Sequence, residues 1–390
     1  MRVTRLSNER YPAVSDLSKK AKASIPFFAW EYLDSGTGEE TGMHRGIKAF
    51  EKFTLVPRFM KGKLDPNLET QLFGQTYSAP LGIPPIGYTS LMWPGAEMMF
   101  ARAAARNRIP HCLSTVASDT PENCGPVSQG YGWFQLYPPR REDIRADLLK
   151  RAKDSGYSTL VVTADVPAPS MRERQRRAGM SIPPKITPLI LCRILARPKW
   201  ALATLKRGRP TFATMEQYMK GYDGRSLDGI VEFVVKELGG VLDWEYLEAV
   251  RDIWDGPLVL KGILSVEDAK EAVKAGVDGV WVSNHGGRQL EAAPASIDVL
   301  PDIAAAVGRK TKIIFDSGVR SGGDVLKAIA LGADFVFVGR PFMYGVCALA
   351  VKGGDHVYEM LTADIINNMH QLGIERPEQM RDIEVRRERD

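Results

Sequence analysis

Short apolar runs rich in Val, Ile, Leu and Phe recur along the chain, each followed by a longer stretch whose apolar residues fall at helical spacing. The runs cover Leu81 to Gly87, His111 to Thr115, Trp133 to Tyr137, Thr159 to Asp165, Leu258 to Lys261, Gly279 to Ser283, Lys312 to Asp316 and Phe335 to Gly339. A continuous apolar run has no polar face, so it reads as a strand covered on both sides, as in parallel sheets with helices outside. Eight such units in succession predict an α/β fold of the TIM (β/α)8 barrel type. A doubly wound sheet is the alternative, but the early βα turn lacks the GxGxxG loop expected of a dinucleotide-binding sheet.

Three segments fall outside the repeating pattern. Residues 1–75 carry helical patterns at Ala13 to Lys22 and Pro26 to Leu33, then an extended Phe53 to Arg58, and read as an N-terminal helical cover. The barrel then occupies residues 76–390. It closes with a helix from about Asp355 to Leu372 and a charged, frayed tail. Between the fourth and fifth strands, roughly residues 170–245 form an insertion too long for an ordinary βα loop.

Composition narrows the picture only a little. A chain of 390 residues accommodates one extended barrel or two smaller domains. With 52 Lys and Arg against 47 Asp and Glu, the formal charge of +5 is too small to argue for nucleic-acid binding. Cys112, Cys124, Cys192 and Cys347 have no CxxC or metal-ligand spacing, so neither a disulfide framework nor a metal site is expected, and a reducing cytoplasm is the default. The start of the chain has no apolar signal region, and no apolar run reaches the length of a spanning helix.

The chemistry concentrates where the predicted strands end, which on a barrel is one face. Ser283-Asn284-His285-Gly286-Gly287-Arg288-Gln289-Leu290 comes directly after the sixth strand. An imidazole and a guanidinium three residues apart across a Gly-Gly turn can take a proton and grip a carboxylate together. Taken alone, the stretch reads equally as a solvated turn. Asp165, ending the fourth strand, is a candidate partner that stabilises protonated His285, or a helix N-cap. Lys261 sits inside an apolar strand and needs an anion, which an anionic cofactor ring or a structural ion pair would supply. Asp316-Ser317-Gly318-Val319-Arg320 and Gly339-Arg340-Pro341 provide glycine N–H groups and two guanidinium forks where barrels commonly hold a phosphate, of a substrate or of FMN.

With these residues the chain resembles the FMN-dependent α-hydroxy acid dehydrogenase and oxidase family, which includes glycolate oxidase, lactate oxidase and the bacterial L-lactate and mandelate dehydrogenases. SNHGGRQLE and the Asp316 to Arg340 spacing carry the resemblance, which runs from about Pro26 to Gly345. It implies FMN-dependent oxidation of an L-2-hydroxy acid to the 2-oxo acid. His285 would be the base, Asp165 its partner, and Lys261 would stabilise charge on the reduced ring. Arg288, Arg172 and Tyr32 would face the substrate carboxylate, and Tyr137 would hydrogen-bond the hydroxyl as it becomes a carbonyl. Pro85, Ile86, Gly87, Ser114, Gln135, Thr163 and Ser283 would hold the ring system, and Asp316, Gly318, Arg320, Gly339 and Arg340 the ribityl phosphate. A homotetramer is the usual assembly of the family.

Gly87 stands where oxidases of the family often have Ala, and Trp93 replaces their usual His; both resemble the dehydrogenase branch and speak against oxygen as the acceptor. Ile86 replaces a frequent Thr, and Val116 a Trp, which widens the expected pocket. The insertion is basic as well as long. From Arg174 to Met215 there is no acidic residue, while Arg193 lies within the apolar stretch Ile186 to Ala196 and Arg197, Lys199, Lys206 and Arg207 come after it. Apolar anchors among cations suit an anionic membrane surface better than nucleic acid, since stacking aromatics are scarce. The combined expectation is a peripheral enzyme on the cytoplasmic face of the inner membrane that passes electrons to a quinone. The alternatives are a soluble oxidase forming hydrogen peroxide and a flavin-dependent barrel isomerase.

Overall fold

The computed structural model describes residues 9–179, 187–222, 232–238 and 242–388. All eight predicted strands form: β1 (Leu81–Gly82), β2 (His111–Ser114), β3 (Gly132–Leu136), β4 (Thr159–Thr163), β5 (Leu258–Ile263), β6 (Gly279–Val282), β7 (Lys312–Phe315) and β8 (Phe335–Phe337). They pair in parallel, β2 through β8 in sequence, and β8 returns to β1 through Val336 opposite Leu81. A parallel bridge between Ile83 and His111 closes the ring. Every residue of β2, β3, β4 and β6 is buried, because helices cover the outside and aromatic side chains fill the inside.

The barrel interior is a separate apolar cluster of Cys112, Trp133, Val161, Val259, Trp281, Ile314, Phe335 and Phe337. Its lower end is plugged by a hairpin, Thr70–Leu72 paired with Gln75–Tyr77. The two-residue turn places Phe73 and Gly74 at φ 51° and 77°, the left-handed pair that a tight hairpin turn of this twist requires. Leu72 and Tyr77 of the hairpin enter the cluster, and Trp133 Nε1 donates to Tyr77 Oη at 3.1 Å. With that end filled, polar groups converge on the opposite end, where the strands terminate.

The N-terminal segment folds as helices Val14–Ser24, Phe27–Asp34 and Thr41–Lys48, the third unforeseen in the sequence. The second buries Phe28, Ala29, Trp30, Tyr32 and Leu33, a nearly all-round apolar surface that seats it over the barrel mouth. The closing helix spans Gly353–Leu372. The tail is not frayed as expected: Val385–Arg387 pairs antiparallel with Phe53–Leu55, which gives both short edges a backbone partner.

The insertion leaves the barrel after β4 through a short helix, Glu173–Arg177. Two helices, Pro188–Leu195 and Pro198–Arg207, come next among the described residues. Ile186 and Lys185 lie outside the described residues. Thr187 caps the first helix, its hydroxyl accepting from the Ile190 N–H at 3.2 Å, with Pro188 at the first helical position. Ile190 and Trp200 turn inward, and Trp200 Nε1 donates to the Met92 carbonyl at 3.0 Å. Leu191, Leu195, Leu202 and Leu205 remain exposed.

Candidate active site

The backbone over His285, Gly286 and Gly287 holds three successive left-handed residues, at φ 56°, 66° and 74°. Two glycines tolerate this without strain, and the histidine adopts it only because its neighbours hold the turn. The Gly286 N–H donates to Ser317 Oγ at 3.0 Å, and the Gly287 carbonyl accepts from Thr37 N–H at 3.1 Å. This turn brings His285 Nδ1 to 2.8 Å from Asp165 Oδ1, which sits just past the end of β4. The carboxylate can only accept, so Nδ1 carries the proton and Nε2 keeps its lone pair.

Lys261, on β5 and 2% exposed, is the positive centre of the site. Its Nζ donates to Ser283 Oγ at 2.8 Å and lies 3.5 Å from Asp316 and 3.8 Å from Asp165. Burial alone would discharge the ammonium, but the two carboxylates outweigh it and hold the pKa above its ordinary value. Burial likewise opposes the charge of Asp165, while His285 and Lys261 keep it ionised. The His285 imidazole is pushed down by burial, with Lys261 and Arg172 adding to the effect and Asp165 opposing it. The resting pair is therefore neutral imidazole against carboxylate. Tyr137, one residue past β3, keeps its phenolic proton because burial, chiefly, and the nearby Asp165 charge raise its pKa.

Three arginines and a tyrosine gather at the same mouth. Arg288 Nη1 donates to the carbonyls of Tyr32 at 3.0 Å and Ser35 at 2.9 Å, and the guanidinium lies 5.4 Å from the Tyr32 ring centre. These carbonyls end helix Phe27–Asp34, whose dipole is negative there. Burial, with Arg172 and Arg340 nearby, brings the Arg288 pKa down to about 9, so an incoming anion relieves a real electrostatic stress. Arg172 stands on the β4 loop with φ 44°, its Nε donating to Ser170 Oγ at 3.0 Å. Tyr32 Oη donates to the Gly87 carbonyl at 3.2 Å, so it must exchange that bond to serve a carboxylate.

Beyond Lys261 the strand ends form a polar cradle. Ser114 Oγ donates to Gln135 Oε1 at 2.9 Å, while Gln135 Nε2 and Thr163 Oγ1 are buried with no hydrogen-bond partner among the described residues. Buried polar atoms left so are costly, and two on adjoining strands mark an edge built for a ligand. Pro85, Ile86 and Gly87 come after β1 at the same rim. A Cβ on Gly87 would lie 2.6 Å from Val116 Cγ2, which explains the glycine.

The remaining corner is made by the loop after β7 and the helix Gly339–Leu349, which begins directly after β8 and offers its first N–H groups. Arg340 spans it, donating from Nη1 to the Gly286 carbonyl and from Nη2 to the Ser35 carbonyl, both at 3.0 Å, while its buried Nε has no partner among the described residues. Arg320 is anchored through Nη1 to the Val319 carbonyl at 2.8 Å. Burial, with Arg340 contributing, pushes its pKa down. Gly318 is required at φ 86°, where a Cβ would lie 2.2 Å from the Gly46 carbonyl oxygen. Asp316, expected on the phosphate side, has its carboxylate 3.5 Å from Lys261 Nζ and accepts from Ser317 Oγ at 2.7 Å. Ser283, expected beside the ring, meets Lys261 and accepts the His285 N–H at 3.1 Å.

Sequence reasoning missed Ser35, whose carbonyl joins Arg288 to Arg340. A backbone acceptor leaves no trace in residue identity. Among the described residues no cluster of His, Cys, Asp or Glu could hold a metal.

Residues 21–387 match the family described as FMN-dependent dehydrogenase. The L-lactate dehydrogenase of Xanthomonas campestris pv. campestris is 37% identical over 366 residues, covering 92% of this chain and 94% of that protein. The L-lactate dehydrogenase of Pseudomonas aeruginosa is 36% identical over 354 residues, covering 90% and 92%. Among solved structures, a monotopic membrane (S)-mandelate dehydrogenase superposes with a TM-score of 0.90 at 32% identity, covering 96% of this chain and 100% of that one. A mandelate oxidase superposes at 0.83 with 34% identity, covering 96% and 98%.

Proposed function

The chain belongs to the FMN-dependent dehydrogenase family, and from that premise we propose that it oxidises an L-2-hydroxy acid of lactate or mandelate type and delivers the electrons to a quinone from a membrane surface. It is an FMN enzyme of 2-hydroxy acid oxidation. The observation that carries the assignment is the His285 and Asp165 pair set between Lys261 and the Arg288 and Arg172 guanidinium groups.

The residues present fit FMN. Gln135 Nε2 and Thr163 Oγ1, without a hydrogen-bond partner among the described residues, match a ring with polar edges, and Arg340 Nε, Arg320 and the glycine at 318 match a phosphate. Bound there, FMN supplies the two-electron acceptor. Pro85, Ile86, Gly87, Ser114 and Ser283 would line the same ring, Asp316 the ribityl chain, and Gly318, Gly339, Arg320 and Arg340 the phosphate. Lys261 would hold negative charge at its edge, at a cost already met by Asp316 and Asp165.

On the substrate side, Arg288 and Arg172 take the carboxylate and so fix the reacting carbon, while Tyr32 releases Gly87 to join them. His285 Nε2 accepts the proton, and Asp165 stabilises the imidazolium through Nδ1. Tyr137, whose pKa burial raises further above its ordinary value, keeps its phenolic proton and donates it toward the substrate oxygen.

No helix among the described residues is long and apolar enough to cross a membrane. The insertion supports a peripheral attachment instead: Leu205 is 82% exposed and Leu195 66%, beside Arg193, Lys199 and Lys206. Burying leucines while basic residues meet anionic lipid headgroups, at about 1 kcal/mol per basic residue, suits a cytoplasmic leaflet. A homotetramer is the proposed assembly.

Anaerobic mixing of the yellow enzyme with glycolate, L-lactate, L-mandelate and longer hydroxy acids tests the reaction. Bleaching of the flavin by one of them is expected, with slow reoxidation in air and fast reoxidation by a soluble quinone. Fast reoxidation by oxygen with stoichiometric peroxide would replace the dehydrogenase by an oxidase, and no bleaching by any hydroxy acid would overturn the assignment.

A further inference from the structure

We propose that Arg174 is a positioning residue of the carboxylate clamp: bridging Glu31, Asp34 and Glu40, it holds the Arg172 loop on the same anchor as Arg288 against the repulsion between the two guanidinium groups. The inference rests on the reading of Arg172 and Arg288 as carboxylate ligands.

The two arms of the clamp come from strands that are not neighbours, Arg172 after β4 and Arg288 after β6, with β5 between them. Arg172 is close enough to lower the pKa of both Arg288 and His285. Like charges in one partly buried mouth repel and separate unless something opposes them. A flexible arm would swing outward and offer the substrate only one guanidinium.

Residues 31–41 oppose that movement. On one side this segment holds Arg288 through the Tyr32 and Ser35 carbonyls, and Thr41 holds the same loop through Glu291 Oε1 at 3.0 Å. On the other side it grips four consecutive residues of the β4 loop. The Arg172 N–H donates to Thr37 Oγ1 at 3.4 Å, Glu173 Oε2 accepts from the Gly38 N–H at 2.7 Å, and Gln175 Nε2 donates to Ser35 Oγ at 2.9 Å.

Arg174 is the strongest of these ties. Its Nη1 meets Glu40 Oε2 at 2.9 Å, its Nη2 meets Asp34 Oδ2 at 3.0 Å, and its Nε pairs with Glu31. A guanidinium can serve three carboxylates at once because its donors lie in a rigid planar fork, which an ammonium cannot copy. The carboxylates are partly buried, Glu31 to 8% side-chain exposure, so the tie is screened less than a surface pair. Arg174 touches neither His285 nor Arg288 in the hydrogen-bond network, and its influence passes through the backbone two residues away, where Arg172 sits at φ 44°.

The test uses the full-length flavin-loaded enzyme and the hydroxy acid that bleaches it best. Arg174→Gln is expected to raise KM, and the Kd of the matching 2-oxo acid read from the perturbed flavin spectrum, about tenfold or more, with kcat within about threefold and flavin content unchanged. Arg174→Lys should recover only part of the loss. In an Arg172→Lys background, adding Arg174→Gln should change KM by less than about twofold, because the arm it positions is already impaired. Equal losses in both backgrounds, or a fall in kcat and flavin content with KM unmoved, overturn the assignment of a positioning role. If Arg174→Gln yields no folded enzyme, Glu40→Gln removes one of the three ties and carries the same cycle with a rise of about threefold. Arg172→Lys and Arg288→Lys report on the premise separately: if neither moves KM, the clamp itself fails, whereas a response to them without one to Arg174→Gln overturns the positioning role alone.

Discussion

Replacing Asp165 by Asn removes one charge and keeps the shape, so it isolates the electrostatic part of proton abstraction. The carboxylate oxygen lies 2.8 Å from His285 Nδ1. At the effective dielectric of about 20 that suits partly buried pairs, a full charge pair at that distance is worth about 6 kcal/mol. The neighbouring Lys261 at 3.8 Å shares the carboxylate, and an amide oxygen still accepts the Nδ1 proton, so about 3 to 5 kcal/mol of transition-state stabilisation is lost. That corresponds to a roughly 10² to 10⁴-fold fall in the rate of flavin reduction. The amide also has an N–H that can donate to Nδ1, which would place the ring proton on Nε2 and silence the base. Anaerobic stopped-flow reduction at saturating substrate reads the step directly. The pH profile supplies a second check: the rate needs neutral imidazole, burial already lowers the His285 pKa, and loss of the anion lowers it further, so the acid limb moves to lower pH. A flavin-loaded Asp165→Asn enzyme that retains more than about a tenth of the rate, or whose acid limb moves upward, refutes the role assigned to this pair.

His111, at the start of β2, is buried with Nδ1 unpartnered among the described residues and its pKa pushed down to about 3 by burial, so the unfolded chain binds more protons than the folded one between about pH 3 and 6.5. Stability should fall by up to about 1.4 kcal/mol for each pH unit below 6.5 from this residue alone, and His111→Leu should flatten the decline in urea midpoint between pH 6.5 and 5. Leu202→Asp with Leu205→Asp removes two exposed leucines from the basic insertion; at about 1.5 to 2 kcal/mol each on burial, sedimentation with vesicles rich in anionic phospholipid should weaken at least a hundredfold, while flavin reduction in detergent is unchanged. Gly318→Ala would drive a methyl group to 2.2 Å from the Gly46 carbonyl, and the purified protein should carry less than half the flavin of the parent, measured by the ratio of visible to protein absorbance.

What could be read in advance was whatever residue type and period encode. Largely apolar runs marked all eight strands, since a strand covered on both faces is mostly apolar, and buried polar positions such as Gln135 and Lys261 fall toward the ends that form the site. The ends of the runs then named His285, Asp165, Lys261 and Arg288, which the structure brings into one mouth. Relations carried by backbone atoms or by distant partners were hidden. Ser35 acts through its carbonyl, so its side chain announces nothing. Helix Thr41–Lys48 was missed because Gly42 and Gly46 lie within it; Gly42 is kept small by the Glu291 carbonyl, 2.5 Å from its would-be Cβ. The tail was expected to fray because charged residues dominate it, yet pairing with Phe53–Leu55 rests on main-chain groups, which any residue can offer.

That terminal ribbon bears on how the protein is made. Thr54 and Arg386, joined across it, are 332 residues apart, so at ribosomal rates of roughly 5 to 20 residues per second the early strand waits about 15 to 65 s for its mate. During that interval the segment carrying Tyr32 and Ser35 has emerged before either loop it will later grip. Nascent chains stalled before Val385 should therefore hold a barrel with all eight strands made while the Phe53–Leu55 edge still lacks its partner.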